Sequence, residues 1–253
     1  MKEITPDTVI VSLASHSIRL ESVGGTTIFS IINNTYANKH IVLTLSKEDA
    51  ARIPDDLRLL IRAGLVELII VDEDLGPHTK YYYAMSKYRA NPIITVDDDV
   101  IYPENMIETM LHFYKKYPNC IIARRSFSIC VSNGHILPYH TWLNHFSGKT
   151  EPTHKIFATG IGGILYPPDC LKVSETYLPE IRTVKFDDDF FLKAIEMRNN
   201  LKIVNICNTQ GELYKCNLCD SHTQSIARWN ANRLGGSDNC VKLFQKEFND
   251  AIK

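Results

Sequence analysis

The chain has 253 residues, of which 44% are hydrophobic and 23% are charged, and its formal net charge is −1. This composition is typical of a globular domain, and the small net charge argues against nucleic acid as a partner. The apolar runs have only strand length, so no membrane span is predicted, and the first residues lack the apolar core of a signal peptide. Seven cysteines, an odd number, favour reduced thiols over a disulfide framework, so we expect a cytoplasmic protein.

Strand-like apolar runs alternate with helical patterns over the first half of the chain. The predicted strands are Val9–Ala14, His40–Leu45, Val66–Val71, the run from Ile93 to Val96, and Cys120–Ala123. The main predicted helices between them are Arg19–Thr35, Asp55–Ala63, His78–Tyr88 and Glu104–Tyr117. This alternation predicts an α/β fold with a central, mostly parallel, doubly wound sheet.

The second half is less regular. Further strands are expected between Ser126 and Pro138, a helix from the Phe186 region to Arg198, and a last strand at Leu201–Cys207. We expect one domain over residues 1–253, with a nucleotide-binding half at about 1–125 and an acceptor-side half at about 126–207. A polar tail, 208–253, is expected to pack on this domain or to be partly mobile.

Three consecutive carboxylates, Asp97 to Asp99, follow the apolar run that begins at Ile93. Ligands of open α/β sheets bind beyond the carboxyl ends of the strands, which is where these acids are expected. If strand alternation continues, Asp97 and Asp99 share one face and Asp98 points the other way. Closely spaced oxygen ligands suit Mg²⁺ or Mn²⁺, although a solvated acidic turn that caps the next helix is an alternative.

Two later stretches are also candidates for the site. The glycine-containing segment Gly160–Pro168 is either a bulged strand or a loop that lines the substrate. Asp187, Asp188 and Asp189 precede the predicted helix that ends at Arg198, and three acids exceed what capping requires. Asp187 is the expected cap, whereas Asp189 is expected at the mouth of a pocket.

Four motifs in the same order resemble a bacterial polysaccharide glycosyltransferase group of the capsule or O-antigen type, which has the GT-A fold and a DxD motif. The motifs are Ala14-Ser15 with Arg19, the stretch Ile93–Pro103, the segment Gly160–Pro168, and the helix start Asp188–Leu192. The resemblance implies transfer of a sugar from a nucleotide-diphosphate sugar, with a UDP-sugar expected, to a glycan or lipid-linked glycan acceptor in surface polysaccharide synthesis. A lipid-linked acceptor implies peripheral association with the inner face of the plasma membrane.

The resemblance also implies roles for individual residues. Asp99 would bind Mn²⁺ or Mg²⁺, Asp97 would bind the metal or the ribose, and Asp98 would be structural within the nucleotide site. The remaining nucleotide-side residues would surround the base or offset phosphate charge: Ser12, Ala14, Ser15 and Asp72 for the base, and Arg19 and Lys80 for the phosphates. Gly162 and Gly163 would line the acceptor side. Asp189 would be the general base of an inverting reaction, with Asp188 as the second choice.

Alternatives to glycosyl transfer remain open at this point. A sugar nucleotidyltransferase of related fold is expected to carry a glycine-rich basic loop after the first strand, and residues 15–23 match such a loop poorly. A non-catalytic module could use the aspartates to hold a structural ion. Separately, the cysteines Cys207, Cys216, Cys219 and Cys240 form either a zinc site or reduced thiols, and His222 is either a late metal ligand or an ordinary histidine.

Overall fold

The computed structural model describes residues 3–16, 19–144, 150–206, 214–215 and 236–250. The strands, numbered in chain order, are β1 (Val9–Ala14), β2 (Lys39–Ser46), β3 (Glu67–Val71), β4 (Ile93–Thr95), β5 (Val100–Ile101), β6 (Ile121–Ala123), β7 (Ser126–Ser128), β8 (Val131–Ser132), β9 (His135–Ile136), β10 (Leu143–Asn144), β11 (Ile156–Ala158), β12 (Ile164–Tyr166), β13 (Ile203–Asn205) and β14 (Tyr214–Lys215).

The helices lie between and after these strands. A π-helical turn, Leu20–Gly24, leads into α1 (Gly25–Ile32), and the later helices are α2 (Lys47–Ala50), α3 (Asp55–Arg62), α4 (Thr79–Lys87), α5 (Met106–Lys116), α6 (Leu178–Thr183), α7 (Asp188–Arg198), α8 (Gly236–Leu243) and α9 (Gln245–Asp250). Nowhere in the described part of the chain is a helix both long enough and apolar enough to cross a bilayer.

Seven strands form the central sheet in the order β13-β6-β12-β4-β1-β2-β3. Neighbouring strands are parallel except at β12, which is antiparallel to both β4 and β6. The prediction of an α/β fold with a central, mostly parallel sheet is therefore confirmed. Strands from both predicted halves of the chain join this one sheet, and the division into two halves and a tail stays a prediction.

Side-chain alternation along the buried strands divides the core between the two faces of the sheet. Ile10 and Ile93 belong to the apolar cluster that includes residues of α4 and α7, whereas Val11 and Ile94 belong to the cluster that includes residues of α1 and α5. All four side chains are almost completely buried. Because helices cover both faces, these strands are apolar on both sides, as parallel strands usually are.

The antiparallel strand β12 brings a second loop to the carboxyl ends of the parallel strands. Ile164, its first residue, lies opposite Thr95 at the end of β4 and opposite Ala123 at the end of β6. The preceding turn, Gly160–Gly162, therefore lies at the same edge of the sheet as the residues that follow β4. The glycine-containing segment thus combines a short loop at this edge with a central strand.

The C-terminal helices α8 and α9 pack on α7 and on the segment around Trp142 through an aromatic cluster. Phe248 is fully buried, and its ring centroid lies 6.0 Å from that of Trp142 and 6.3 Å from that of Phe190. The Asp238 carboxylate accepts the N–H of Tyr139 at 2.8 Å. The described part of the tail is therefore packed on the rest of the chain, which is one of the two outcomes expected for it.

Candidate active site

The aspartate triplet lies in the turn between β4 and β5. The strand β4 ends at Thr95, two residues before the triplet begins. The N–H of Asp97 donates to the Tyr102 hydroxyl at 2.9 Å, and this hydroxyl donates to the carbonyl oxygen of Ile161 at 3.1 Å. Tyr102 thus connects the triplet to the glycine-containing turn before β12.

Arg19 bridges the second and third aspartates. Its Nη2 lies 2.7 Å from Asp98 Oδ1 and 2.7 Å from Asp99 Oδ2. Asp98 also accepts a hydrogen bond from the Ser15 hydroxyl at 2.5 Å. Burial raises the pKa of the Asp98 carboxyl; Arg19 and Ser15 act against this rise, and the charges of Asp99 and Asp97 add to it.

The expectation that Asp97 and Asp99 share one face, with Asp98 pointing away, is wrong. It assumed that strand alternation continues through the triplet, but the strand ends before the triplet begins. The turn instead directs Asp98 and Asp99 to Arg19, and it directs Asp97 to Lys80. All three carboxylates therefore pair with side chains from elsewhere in the chain.

Lys80, near the start of α4, connects the two aspartate clusters. Its Nζ lies 3.0 Å from Asp97 Oδ1 and 2.8 Å from Asp188 Oδ2, and its carbonyl oxygen accepts the Ser12 hydroxyl at 2.6 Å. Burial alone would lower the pKa of the Lys80 ammonium, but Asp188, Asp97 and Asp189 together raise it well above its ordinary value. Lys80 therefore stays positively charged at neutral pH.

Asp188 is the buried, ionised member of the second cluster. Burial acts to raise the pKa of its carboxyl, but Lys80 and His78 outweigh this effect, so the pKa is lowered. His78 is itself buried, with Nδ1 2.7 Å from the Tyr81 hydroxyl and Nε2 3.1 Å from the Val184 carbonyl oxygen. His78 was not among the predicted site residues, because a histidine at a helix start has no distinctive pattern.

Asp189 lies beside the glycine-containing turn. Its Oδ1 accepts the N–H of Gly160 at 3.1 Å. Burial raises the pKa of the Asp189 carboxyl well above its usual range, and Asp188 and Asp97 add to the rise, whereas Lys80 and the Gly160 N–H act against it. Adjacent aspartates are thus shifted in opposite directions, a pattern found where two acids have different tasks.

Asp187 does not cap the helix as the sequence analysis expected. It occupies the N-cap position of α7, but its side chain makes no cap hydrogen bond there. Its carboxylate instead forms a hydrogen bond with the Cys240 thiol of α8, a contact between segments far apart in sequence. Of the candidate zinc ligands only Cys240 is described; Cys207, Cys216, Cys219 and His222 lie outside the described residues.

Close packing explains the glycines of the turn. A Cβ atom on Gly160 would lie 2.6 Å from Lys80 Nζ, and one on Gly162 would lie 2.6 Å from Arg125 Cβ. Gly163 has a φ of +85°, which side chains rarely adopt. Gly162 and Gly163 were predicted on the acceptor side, and that role stays a prediction. Gly160, which contacts both clusters, was missed, although it is the first glycine of the same motif.

Two further residues near Asp189 were missed as site residues. Arg125 follows β6 at the carboxyl edge and donates to the Thr159 hydroxyl at 2.8 Å. Burial raises the pKa of Tyr139 to about 12, with a contribution from Asp189 and an opposing one from Arg125, so Tyr139 lies near both. Tyr139 belongs to an irregular segment with no local signal, whereas Arg125 was visible only as part of a basic pair.

The remaining predicted nucleotide-side residues follow the first and third strands. Ser12 and Ala14 lie in the second half of β1, and Ser15 directly follows it. Asp72 follows β3, is exposed, and forms an ion pair with Lys47. Because the first and third strands end at the same edge of the sheet, these positions are compatible with a shared ligand, and their contact with a base stays a prediction.

A divalent cation at these carboxylates would need ligands beyond the described protein side chains. Within the described ranges, no three His, Cys, Asp or Glu side chains converge in a group that could hold a metal ion. Asp97 and Asp99 are each paired with a cationic side chain. Mg²⁺ commonly takes one or two protein carboxylates together with substrate phosphates, so the residues fit a cation shared with a diphosphate and not one held by protein alone.

Comparison with solved structures places this architecture among known folds. TarS of S. aureus aligns with a TM-score of 0.56 at 13% identity, over 95% of this chain and 43% of TarS. TarS 1-349 in complex with UDP-GlcNAc aligns with a TM-score of 0.56 at 12% identity, over 96% of this chain and 72% of that one. UDP-glucose pyrophosphorylase from Acinetobacter baumanii aligns with a TM-score of 0.52 at 10% identity, over 95% and 99%.

The chain has a GT-A-like fold. At these identities the likeness shows the fold alone, which TarS and the pyrophosphorylase share. The chain spans less than half the length of the longer TarS chain that it matches. No protein-family model matches the chain, and neither does any curated protein sequence. The GT-A-like fold is therefore confirmed, whereas the capsule or O-antigen type remains a prediction.

Proposed function

We propose that this protein is a metal-dependent glycosyltransferase that moves a sugar from a UDP-sugar to a glycan or lipid-linked glycan. One observation carries the proposal. The Lys80 ammonium forms ion pairs with both Asp97 and Asp188. Asp97 belongs to the cluster that follows β4, and Asp188 belongs to the cluster at the start of α7. The residues proposed for the donor phosphates and the residues proposed for the acceptor therefore lie next to each other, as a transfer between two bound substrates requires.

On the donor side, Asp99 and Asp97 would hold Mn²⁺ or Mg²⁺ jointly with the diphosphate. Such a cation would stabilise the negative charge of the departing nucleoside diphosphate. The chain itself would contribute the positive charges of Arg19 and Lys80, which lie beside these aspartates, to binding the same phosphates. Structures of TarS with UDP and with UDP-GlcNAc share the fold and support the choice of a uridine nucleotide as the first donor to test.

On the acceptor side, Asp189 is the proposed general base. Its carboxylate would take the proton of the acceptor hydroxyl as that oxygen bonds to the anomeric carbon and the bond to the diphosphate oxygen breaks. The raised pKa of Asp189 makes its carboxylate a stronger base than an ordinary aspartate. Asp188 is the weaker candidate, because its pKa is lowered and Lys80 engages one of its oxygens.

A sugar nucleotidyltransferase is the second candidate, since UDP-glucose pyrophosphorylase shares the fold. Residues 15–23 contain no glycine and one basic residue, Arg19, apart from His16. A loop of this composition is poorly suited to cradle the triphosphate of a nucleotidyltransferase substrate. The sequence of this segment therefore favours transfer of the sugar over transfer of the nucleotide.

A donor-turnover assay distinguishes the candidates. UDP-sugars are incubated with the protein and Mn²⁺, Mg²⁺ or chelator, and release of UDP and exchange of pyrophosphate are measured. Slow, metal-dependent release of UDP is expected, and it should fall in Asp189→Asn if water replaces the acceptor. The matched control is Asp169→Asn, because Asp169 pairs with Arg89 at the surface. Pyrophosphate exchange without UDP release would contradict the proposal, and absence of both would favour a binding module.

The proposed setting is surface polysaccharide synthesis in the cytoplasm, at the inner face of the plasma membrane if the acceptor is lipid-linked. Assays with lipid-linked and with soluble glycan acceptors separate these two cases. Sedimentation with vesicles that contain the lipid-linked acceptor, compared with vesicles that lack it, tests the peripheral association.

A further inference from the structure

The Arg19 guanidinium forms an ion pair with the Asp99 carboxylate, which the proposed function assigns to the metal ion. Its Nη2 lies 2.7 Å from Asp99 Oδ2, a distance typical of a charge-assisted hydrogen bond. Both side chains are largely buried, with 13% and 15% of their surface exposed. A divalent cation at the same oxygen would meet both this contact and the repulsion of the nearby positive charge.

Arg19 can leave Asp99 without losing its anchor. The same Nη2 contacts Asp98 Oδ1, and Asp98 is held in turn by the Ser15 hydroxyl at 2.5 Å and, through its carbonyl oxygen, by the Thr27 hydroxyl at 2.8 Å. A guanidinium has five N–H donors in a planar fork, so it can keep one carboxylate while it binds phosphate oxygens. A π-helical turn follows Arg19 directly, and such turns are frequent at functional sites.

We propose that Arg19 and the divalent cation compete for Asp99, so that the cation enters the site together with the diphosphate. The negatively charged diphosphate replaces Asp99 as a partner of the Arg19 guanidinium, and the Asp99 carboxylate becomes available to the cation. This inference rests on the proposed function and assigns Arg19 the control of cation binding. Because coupling between two bound ligands is reciprocal, UDP and the cation must strengthen each other's binding by the same factor.

Titration of the full chain with MnCl₂, followed by the electron paramagnetic resonance signal of free Mn²⁺, tests the competition without an activity assay. In the wild type we expect weak binding of Mn²⁺ alone, and binding tighter by about 10- to 100-fold at saturating UDP. In Arg19→Met, Mn²⁺ alone should bind at least about tenfold more tightly than in the wild type, because a competing charge is removed. Arg19→Lys keeps the charge without the planar fork and should lie between the two.

Two controls isolate the contact with Asp99. Arg52→Met removes another arginine that pairs with a carboxylate, Glu21 at 2.9 Å on the surface, and should leave Mn²⁺ binding unchanged. Adding Asp99→Asn to Arg19→Met should abolish the gain in Mn²⁺ affinity, since the released carboxylate is then absent. Thermal unfolding of each variant verifies that it is folded before the titration.

Two results would overturn the proposal. One is a wild type that binds UDP and yet binds Mn²⁺ equally well with and without it; this comparison needs no variant and so holds even if Arg19→Met fails to fold. The other is a folded Arg19→Met that binds Mn²⁺ alone no more tightly than the wild type. Failure of the proposed function has a different signature, because UDP would then neither bind nor be released with any cation, whereas the titrations with Mn²⁺ alone still decide the role of Arg19.

Discussion

Replacement of Lys80 by methionine tests whether the connection between the two aspartate clusters is structurally important. Lys80→Met keeps the length of the side chain and removes its charge, so it leaves Asp97 and Asp188 without the ammonium that lies 3.0 and 2.8 Å from them. The side chains of Lys80 and Asp188 are 9% and 12% exposed, so solvent compensates little for the lost contact. The main consequence is an unpaired buried carboxylate at Asp188.

The size of the effect follows from this burial. Loss of one partner of a buried ion pair lowers the free energy of unfolding by about 3–5 kcal/mol. For a domain of this length, such a loss lowers Tm by roughly 6–20 °C. The matched control is Lys47→Met, because Lys47 pairs with Asp72 where both side chains are mostly exposed. That control should change the free energy of unfolding by less than about 0.5 kcal/mol.

The pH dependence gives the prediction a defined sign. In the wild type, the lowered pKa of Asp188 stabilises the folded state above the ordinary aspartate pKa, and this stabilisation is lost as pH falls through the lowered value. In Lys80→Met, burial of Asp188 raises its pKa instead, although His78 still acts against this rise. The variant should therefore be least stable relative to the wild type near pH 7, and the difference should shrink below about pH 4–5.

Urea unfolding of the wild type, Lys80→Met and Lys47→Met, followed by circular dichroism between pH 4 and pH 7, measures these differences. A loss for Lys80→Met below about 1 kcal/mol at pH 7 would refute the reasoning, because it would mean that Asp188 does not depend on Lys80. A loss of the same size at pH 4 and pH 7 would also refute it, since the penalty would then not come from an ionised carboxylate.

Three further substitutions address the two clusters and the glycine turn. Asp189→Asn should leave binding of UDP and metal nearly intact and lower kcat by roughly 10²–10⁴-fold, the usual effect of losing a positioned base; initial rates with an acceptor measure this, and turnover within a few-fold of the wild type would contradict the assignment. Asp99→Ala should lose most of the metal-dependent affinity for UDP in calorimetry, and equal affinity in the variant and the wild type would place the metal site elsewhere. Gly160→Ala should displace the Lys80 ammonium, because its Cβ would lie 2.6 Å from Nζ; we expect a loss of about 1–3 kcal/mol in unfolding experiments, and an unchanged Tm would show that the lysine relocates at no cost.

Much of the fold could be predicted from local patterns in the chain. The apolar runs and helical periodicities placed the elements of the first half within a few residues of their observed bounds, as β2 at Lys39–Ser46 and α5 at Met106–Lys116 illustrate. Both aspartate clusters lie where these patterns put them, one after a strand and one at the start of a helix. Such features are local, because the repeat of a helix or strand and the residue that ends it are neighbours in sequence.

The arrangement of the site depends on contacts between segments that are distant in sequence. The three-residue strand β12 carries no local mark of its orientation, yet its antiparallel position between β4 and β6 brings Gly160 to both aspartate clusters. The direction of Asp98 followed from where β4 ends and from Arg19, not from alternation. Ion pairs of this kind form when the folded backbone brings opposite charges together, and their partners cannot be identified from sequence neighbours.

The sequence by itself therefore determined the α/β class, the order of the elements and the chemical character of the candidate site, because hydrophobic periodicity and residue type act locally. Only the tertiary structure decided which carboxylate meets which cation. Lys80 joins Asp97 to Asp188, and Arg19 joins Asp98 to Asp99, because the sheet gathers their strands and helices at one edge. The same packing also separates the pKa values of Asp188 and Asp189, two neighbours of identical chemistry. Contact with Lys80 lowers the pKa of Asp188, whereas burial and the charges of Asp188 and Asp97 raise that of Asp189.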